Sequence, residues 1–468
     1  MNTIKKVLLF VLLVFVEQAV QAASGEANYL SIAPFYIEPG EVVEINLNLV
    51  NSEKICGYQT DLILPKGINV NIETVPGTNI VLKAGVSLVT DRSYGYKLHT
   101  LSSSVQNDGS IRVLCYSDQN VCYTGNSGAV ATISLIADKS MQAGVYEVKL
   151  KNSEVTYASL ESYNPKEYTS SAIVGVVSED CLTLAGAYNE ETVAILNENI
   201  ASKSDINVID MKGVTTFEGK VDVTNNPNTL IYTSSEIGLE NEMNVIVNET
   251  CENLVLEDGY PFTPIADFSI NRGIYNRTLG IGKYGTVVLP FDIDDATKAA
   301  YEFYTLEGMN GSSLQFNLEE QPKAGIPYLY INKGESVATG FIAMSESKSA
   351  ILLEAVVSDG WQMKATYSPI KITDATLLDK TYYISNNKVM NATSSLAISP
   401  FRAYIEGPSF SEVFNSSVNA VEIRLEGTTN IIPLENVDGG DGLYDLFGRR
   451  IDIPKGIYVV GGKKYYKH

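Results

Sequence analysis

Apolar and polar residues alternate in short runs along most of the chain, and glycine, asparagine and proline divide the runs. In "EVVEINLNLVN" the apolar positions Val43, Ile45, Leu47 and Leu49 fall every second residue, the period of a strand with one buried face. "GYQTDLILPKGI" reads as a second strand closed by Pro65-Lys66-Gly67, and "NDGSIRVLCYS" places an Asp-Gly turn before a third. "GAVATISLIAD" and "AGVYEVKLKNSEVTYAS" add more. Long helical periods are missing, and short helices are expected only at Asn189–Ile200 and Asp294–Tyr304. The pattern predicts an all-β protein in which the stretch from Tyr29 to about Val177 reads as a β-sandwich or jelly roll.

The rhythm changes after that. Across residues 179–260 the apolar bursts Ile206/Val208, Val221/Val223, Leu230/Ile231, Val245/Val247 and Leu254/Leu256 recur between Asn-rich turns. Bursts of this kind suit a short β-solenoid-like spacer, each coil burying its face on the next. Residues 261–430 read as a second, sandwich-like β-rich domain. Residues 431–442 hold the acidic, glycine-rich linker "ENVDGGDG", and residues 443–468 read as strands and turns ending in a β-hairpin tail.

The chain opens "MNTIKKVLLFVLLVFVEQAVQAASG". Two lysines, an apolar run from Val7 to Val16 and small residues beyond it have the order of a secretory signal peptide, residues 1–22, cut between Ala22 and Ala23. Ten apolar residues are too few for a membrane span, which needs about 20. An exported protein meets an oxidising compartment, where disulfides persist. Cys115 and Cys122 are near enough in sequence to close a loop, and the odd total of five cysteines leaves at least one unpaired within the chain. A net charge of −21 argues against nucleic acid and anionic membranes as partners. Against it, residues 443–468 carry six Lys/Arg and two Asp, a basic terminus on an acidic protein.

Three stretches imitate known chemistry. "GIGKYG" matches G-x-G-x-x-G but precedes the strand-like "TVVLPFDI", where a dinucleotide site needs a helix. "ENVDGGDGLYD" lacks the ligand spacing and closing Glu of a calcium loop. His99, the internal one of two histidines, has no nucleophile motif beside it. Neither clustered Cys/His ligands nor a framed carboxylate pair is visible, so no catalytic residue, metal or cofactor is expected. Aromatic rings remain, since sugars pack flat on them while amides, acids and arginine hold the hydroxyls. Tyr94 and Tyr96 are two apart, as on one side of a strand, and Tyr116 ends a strand. Gln59 and Asp61 share a strand face and can pair with Arg112. The single Trp361 makes no platform by itself.

"GYQTDLILPKGI", "GSIRVLCYS", "GNSGAVATISL" and "AGVYEVKL", in this order, resemble the cohesin-like and carbohydrate-binding-module superfamily of secreted bacterial proteins. The resemblance covers about residues 27–178 and implies a jelly-roll that binds a glycan or a protein module. "GTVVLPFDI", "AGIPYLYI", "TYYISNNKVMNA" and "SPFRAYIE" are similar to pieces of surface proteins of Gram-negative anaerobes. Tyr444-Asp445-Leu446, Gly448-Arg449-Arg450, Lys455-Gly456-Ile457-Tyr458 and Lys463-Lys464 resemble the end of a type IX sorting domain, without its usual upstream strands. That likeness implies recognition of the tail by export machinery. The expectation is a secreted or cell-surface, non-catalytic binding protein taking polysaccharide at Gln59, Asp61, Tyr94, Tyr96, Arg112 and Tyr116. The alternative is a structural or adhesin protein whose first domain binds a protein partner, and the remote one is a glycan hydrolase.

Overall fold

In the strand β3 (Val42–Asn51) the period of two turns Ile45, Leu47 and Leu49 into the core and leaves Glu44 and Asn46 outside. The computed structural model describes residues 27–467 except 75, 78–80, 96–97, 279, 334–340, 343–346, 349–352, 359, 393, 411–419, 427–431, 434–443, 446–455 and 461–462. The leader with Ala22 and Ala23, and also Tyr96, lie outside the described residues. The chain divides into two compact units: one runs to Leu254 and includes Phe262–Phe268, and the other holds Val255–Pro261 and the chain from Ser269 onward.

The first unit begins with a two-sheet sandwich. Sheet one runs β1 (Asn28–Ser31), β3, β11 (Ala129–Ala137) and β5 (Ile68–Val70), with β8 (Val86–Leu88) also on β11. Sheet two runs β2 (Phe35–Ile37), β14 (Tyr168–Val174), β12 (Gly144–Tyr157), β4 (Ile55–Ile63), β10 (Ile111–Tyr116) and β9 (Thr100–Val105). Short β13 (Ser162–Tyr163) joins β12, and β6 (Glu73–Thr74) with β7 (Val81–Lys83) makes a separate ladder. Only β2 and β14 run parallel among the described pairs of the two sheets. Leu47 and Leu49 from sheet one meet Tyr58, Leu62, Val113 and Cys115 from sheet two in one buried cluster.

One end of this core is closed by a buried cation. The Arg92 guanidinium donates through Nε to the Thr124 carbonyl (2.7 Å), and through Nη2 to Asn51 Oδ1 (2.5 Å) and the Gly125 carbonyl (3.1 Å). Its Nη1 donates to the Gly128 carbonyl (3.0 Å) and to that of Leu49. The fork therefore ties the end of β3 to the segment between β10 and β11. Beside it His99 is buried, its ring 4.7 Å from that of Tyr123 and its Nδ1 accepting from the Tyr94 N–H. Burial holds its pKa below the ordinary value.

Beyond the sandwich, β15 (Val176–Ser178) leads into β16 (Cys181–Tyr188), β17 (Val208–Phe217), β18 (Leu230–Thr233) and β19 (Val245–Val247). The last four pair in parallel, coil on coil, before β20 (Thr250–Glu257) turns back antiparallel. The Asn-rich turns stack as well: Asn226 donates to Asn207 Oδ1 (2.6 Å), and Asn207 to Asp180 Oδ2 (2.7 Å). The Val221/Val223 burst forms no strand, although Val221 is buried. Helix α1 (Glu190–Ile200) starts at a capping box, in which Asn189 and Thr192 exchange side-chain-to-backbone bonds of 2.9 Å. It buries Val193, Leu196 and Ile200 in a cluster that includes Tyr36 and Ile173 of the sandwich. Lys203 pairs with Glu38 at 2.5 Å, and a Cβ at Gly175 would sit 2.3 Å from the Tyr36 hydroxyl. The spacer is thus packed on the sandwich.

The second unit is built around a sheet whose described strands run 284–287, 328–332, 301–310, 313–319, 420–426, 388–391, 381–385, 402–406, 361–366 and 356–358. Helix α2 (Asp295–Ala300) is capped by Asp294 and stops short of the expected Tyr304, because Tyr301 and Phe303 alternate inward as a strand. A further turn of helix, α3 (Ala375–Leu378), has too short a period to show in the sequence. "GIGKYG" is a turn leading into the strand Tyr284–Val287. Trp361 is buried against Tyr382, where Gly407 makes room: a Cβ there would meet the indole at 2.4 Å. Asp258 accepts from Arg402 and Tyr275, both at 2.7 Å. In the tail, Gly456–Val460 and Lys463–Lys467 form an antiparallel hairpin, flanked by Tyr444–Asp445 and Ile432–Pro433.

Two outcomes follow from the closed end of the sandwich core. Arg92→Met leaves several carbonyls without their donor, and each such loss costs about 1–3 kcal/mol; a drop of at least about 3 kcal/mol is expected in the first transition of a urea titration. His99 takes up its proton at lower pH when folded than when unfolded, where it does so near about pH 6.5. Stability should therefore fall as pH drops through that value, by at most about 1.4 kcal/mol per pH unit, and His99→Phe should flatten the slope in urea titrations from pH 7.5 to 5.

Candidate functional site

Because Tyr58, Thr60, Leu62, Val113 and Cys115 point inward, Gln59, Asp61, Ile63, Arg112, Leu114 and Tyr116 are left on the outer face of sheet two. The register puts Arg112 opposite Asp61 and Ser104, Leu114 opposite Gln59 and Ser102, and Tyr116 opposite Thr100. Four of the six residues singled out from the sequence, Gln59, Asp61, Arg112 and Tyr116, thus share one surface.

An ion pair organises that surface. Arg112 donates through Nε to Asp61 Oδ1 (2.7 Å) and through Nη2 to Oδ2 (2.8 Å), while Asn152 donates to Oδ2 (2.9 Å). The Arg112 hydrogen bonds hold the Asp61 carboxyl below its ordinary pKa, against the opposing effect of burial and with help from Asn152. The Asp61 side chain is 5 % exposed and that of Arg112 37 %. Asp61 is therefore occupied within the protein, and its service is to fix a guanidinium whose outer edge meets solvent. Two-point forks of this kind are geometrically stiff.

Around Arg112 the face is apolar at its centre and charged at its margin. Leu114 and Ile63 are half-buried, and Tyr116 is 41 % exposed beside Gly57, where the sheet lacks a side chain. Along β12 lie Lys149, paired with Glu147 at 2.5 Å, and Lys151, 3.6 Å from Glu167. The edge strand β9 supplies the short exposed side chains of Ser102 and Ser104. Sequence reading missed Leu114 and Ile63, although the period of two that placed Arg112 and Tyr116 outward also places Leu114 between them.

Other expected residues go elsewhere. Tyr94 is 55 % exposed but sits in a loop away from any strand. Among the tyrosines whose side chains are described, only Tyr94, Tyr116 and Tyr260 are exposed, so sheet two carries one outward-exposed ring and no row of them. Cys115 is turned into the core, where burial pushes its thiol up to about 11, and Cys122 is set beside Cys56. None of the five cysteines is bridged in the structure.

Two open cavities lie off this face. One of about 650 Å³ is lined by β18–β20 and their loops and carries Glu236, Glu242 and Glu252. All three glutamates are exposed, the ordinary position of solvated acids. The other, about 610 Å³, lies over sheet one and is lined by Glu44, Asn71, Gly85 and Ser134 among others. No group of three or more His, Cys, Asp or Glu that could hold a metal ion occurs among the described residues.

The Asp61–Arg112 fork has a readable pH signature. Asp61 is held ionised when folded, so its contribution is fully present above the unfolded carboxyl's range and lost as pH falls through the lower folded value. The stability gap between wild type and Asp61→Asn should be level above about pH 5 and close below about pH 4, as read from urea midpoints across that range. A gap that does not change down to pH 3 would contradict the fork.

No protein-family model matches the chain, and no curated protein matches it. Among solved structures it is similar to cohesin modules. A type I cohesin from Clostridium thermocellum, solved with a dockerin, is 14 % identical and covers 32 % of this chain and 99 % of its own, with a TM-score of 0.27. A type I cohesin from Pseudobacteroides cellulosolvens is 15 % identical over 32 % of this chain and 92 % of its own, with a TM-score of 0.26. A non-cellulosomal cohesin from the archaeon Archaeoglobus fulgidus is 12 % identical over 33 % of this chain and 93 % of its own, with a TM-score of 0.24.

Proposed function

We propose that this chain is an exported, non-catalytic binding protein whose N-terminal sandwich takes a protein partner on the outer face of β12, β4, β10 and β9. The observation that carries this reading is the composition of the face: Leu114 and Tyr116 follow a pinned Arg112 along one strand, inside a margin of lysine, glutamate and serine. Protein interfaces favour tyrosine and arginine at the centre and polar groups at the rim. Arg112 is already ordered by Asp61, so docking on it forfeits little side-chain freedom. Sugar binding, the first expectation from sequence, draws on flat stacking over exposed rings, and this face offers Tyr116 alone. The signal-like leader and the sorting-like tail support export, with the spacer and the second unit displaying the sandwich outside the cell.

The test uses the full mature chain, immobilised and challenged with the producing organism's culture fluid, alongside native gels containing a panel of soluble polysaccharides. The expected result is a protein that binds the purified chain and loses at least about tenfold in affinity with Leu114→Arg, while Tyr94→Ala has no effect. Retention by a polysaccharide, abolished by Tyr116→Ala or Tyr94→Ala and with no protein bound, would return the reading to a glycan-binding module.

A further inference from the structure

The ladder between β4 and β12 has an irregularity at Cys56: Gly57 stands opposite Thr156 and Ile55 opposite Tyr157, which leaves Cys56 as an extra residue. Bulges of this kind re-aim a side chain. Here the thiol is aimed at the segment that leaves β10. It donates to Asn120 Oδ1 at 2.7 Å, and its pKa is raised first by burial and then by the neighbouring Cys122 thiol. Cys122 Sγ lies 4.0 Å from the Asn120 carbonyl. Asn120 has a left-handed backbone (φ 56°), which asparagine tolerates well, and its amide donates to the Ala158 carbonyl at 2.8 Å. The turn that carries Cys122 is therefore held against the end of β12, next to Cys56.

We infer that Cys56 and Cys122 are a built disulfide site, closed by a small disulfide oxidant such as oxidised glutathione. Cys122, the half-buried thiol, is the one a solvent-borne oxidant reaches, whereas Cys56 is 4 % exposed. The Cys122 thiolate attacks one glutathione sulfur, breaking that disulfide and releasing one glutathione thiolate. Cys56 then gives its proton to water and attacks the Cys122 sulfur, forming the protein disulfide and releasing the second glutathione. Two protein thiols are oxidised, and one glutathione disulfide is reduced to two thiols. Cys115 takes no part: it is fully buried, and its side chain lies against Tyr123 in the core. The bond would close a loop of more than 60 residues and clamp the segment that follows Tyr116, one border of the outer face of sheet two.

The full chain is incubated with oxidised glutathione, unfolded, alkylated and digested with trypsin and chymotrypsin; cleavage after Tyr116 separates Cys115 from Cys122. Free thiols should fall from five to three, the intact mass by about 2 Da for the two hydrogens lost, and a peptide pair joining Cys56 to Cys122 should appear. Cys115→Ala should leave that pair intact, and Cys122→Ala should keep four thiols with no bridge. The unfolding temperature of the oxidised chain should rise by several degrees, about what a long-loop disulfide supplies. A Cys115–Cys122 peptide pair, a Cys122–glutathione adduct with Cys56 still alkylated, or chains joined only between molecules would each overturn the assignment, and none of these readings depends on a variant folding.

Discussion

The sandwich core obliges Tyr58, Thr60, Leu62, Val113 and Cys115 to point inward, and everything proposed for this protein depends on that obligation. In a strand, each inward residue sends its neighbour outward, so the residues left on the far side of β4 and β10 are decided by packing. Asp61 shows the consequence. An acid next to a core strand would be costly to cover, and it is covered because Arg112 and Asn152 supply three donors to its two oxygens. Two of those three bonds hold the Arg112 guanidinium at the middle of an otherwise apolar strip. Stability and the proposed recognition are therefore served by one ion pair, and the edge strand β9 exposes only small hydroxyls there.

The second organising device is polar. Arg92, buried among carbonyls, does for the end of the sandwich what a hydrophobic plug would do elsewhere, and it specifies where the segment from Thr124 to Gly128 must lie. Asp180, Asn207 and Asn226 do similar work in the parallel coils, each amide finding its acceptor one coil away. Buried polar groups of this sort are tolerated only when satisfied, and satisfaction across coils fixes register. Sharing of Tyr36 and Ile173 with helix α1 then joins the spacer to the sandwich.

How much of this was legible in the sequence varies with the kind of signal. The strands of the sandwich, the turn at "GIGKYG" and helix α1 were readable, because their signals are local in the chain. The end of α2 was not, since Tyr301 has helical neighbours but a strand's partners. Arg112 and Asp61 could be matched by their outward parity. Tyr94 could not be placed, since two-residue spacing means a shared side only within a strand, and residues 91–95 form none. The cysteines show the same limit. Cys115 and Cys122 are close along the chain, but parity sends Cys115 into the core, while a bulge far earlier in the chain turns Cys56 toward the segment that carries Cys122. Arg92 and the acidic concavity near Glu236 had no periodic signal at all.

Recognition, as proposed, belongs to the outer face of sheet two. A photo-reactive residue placed at Ser102 on that face, and separately at Asn46 on the outer face of sheet one, gives the most direct measurement when each full-length chain is illuminated in the organism's own culture fluid. A discrete protein adduct is expected from Ser102, competed away by unlabelled chain, and none from Asn46. An adduct from Asn46 alone, or equal labelling from both, would contradict it.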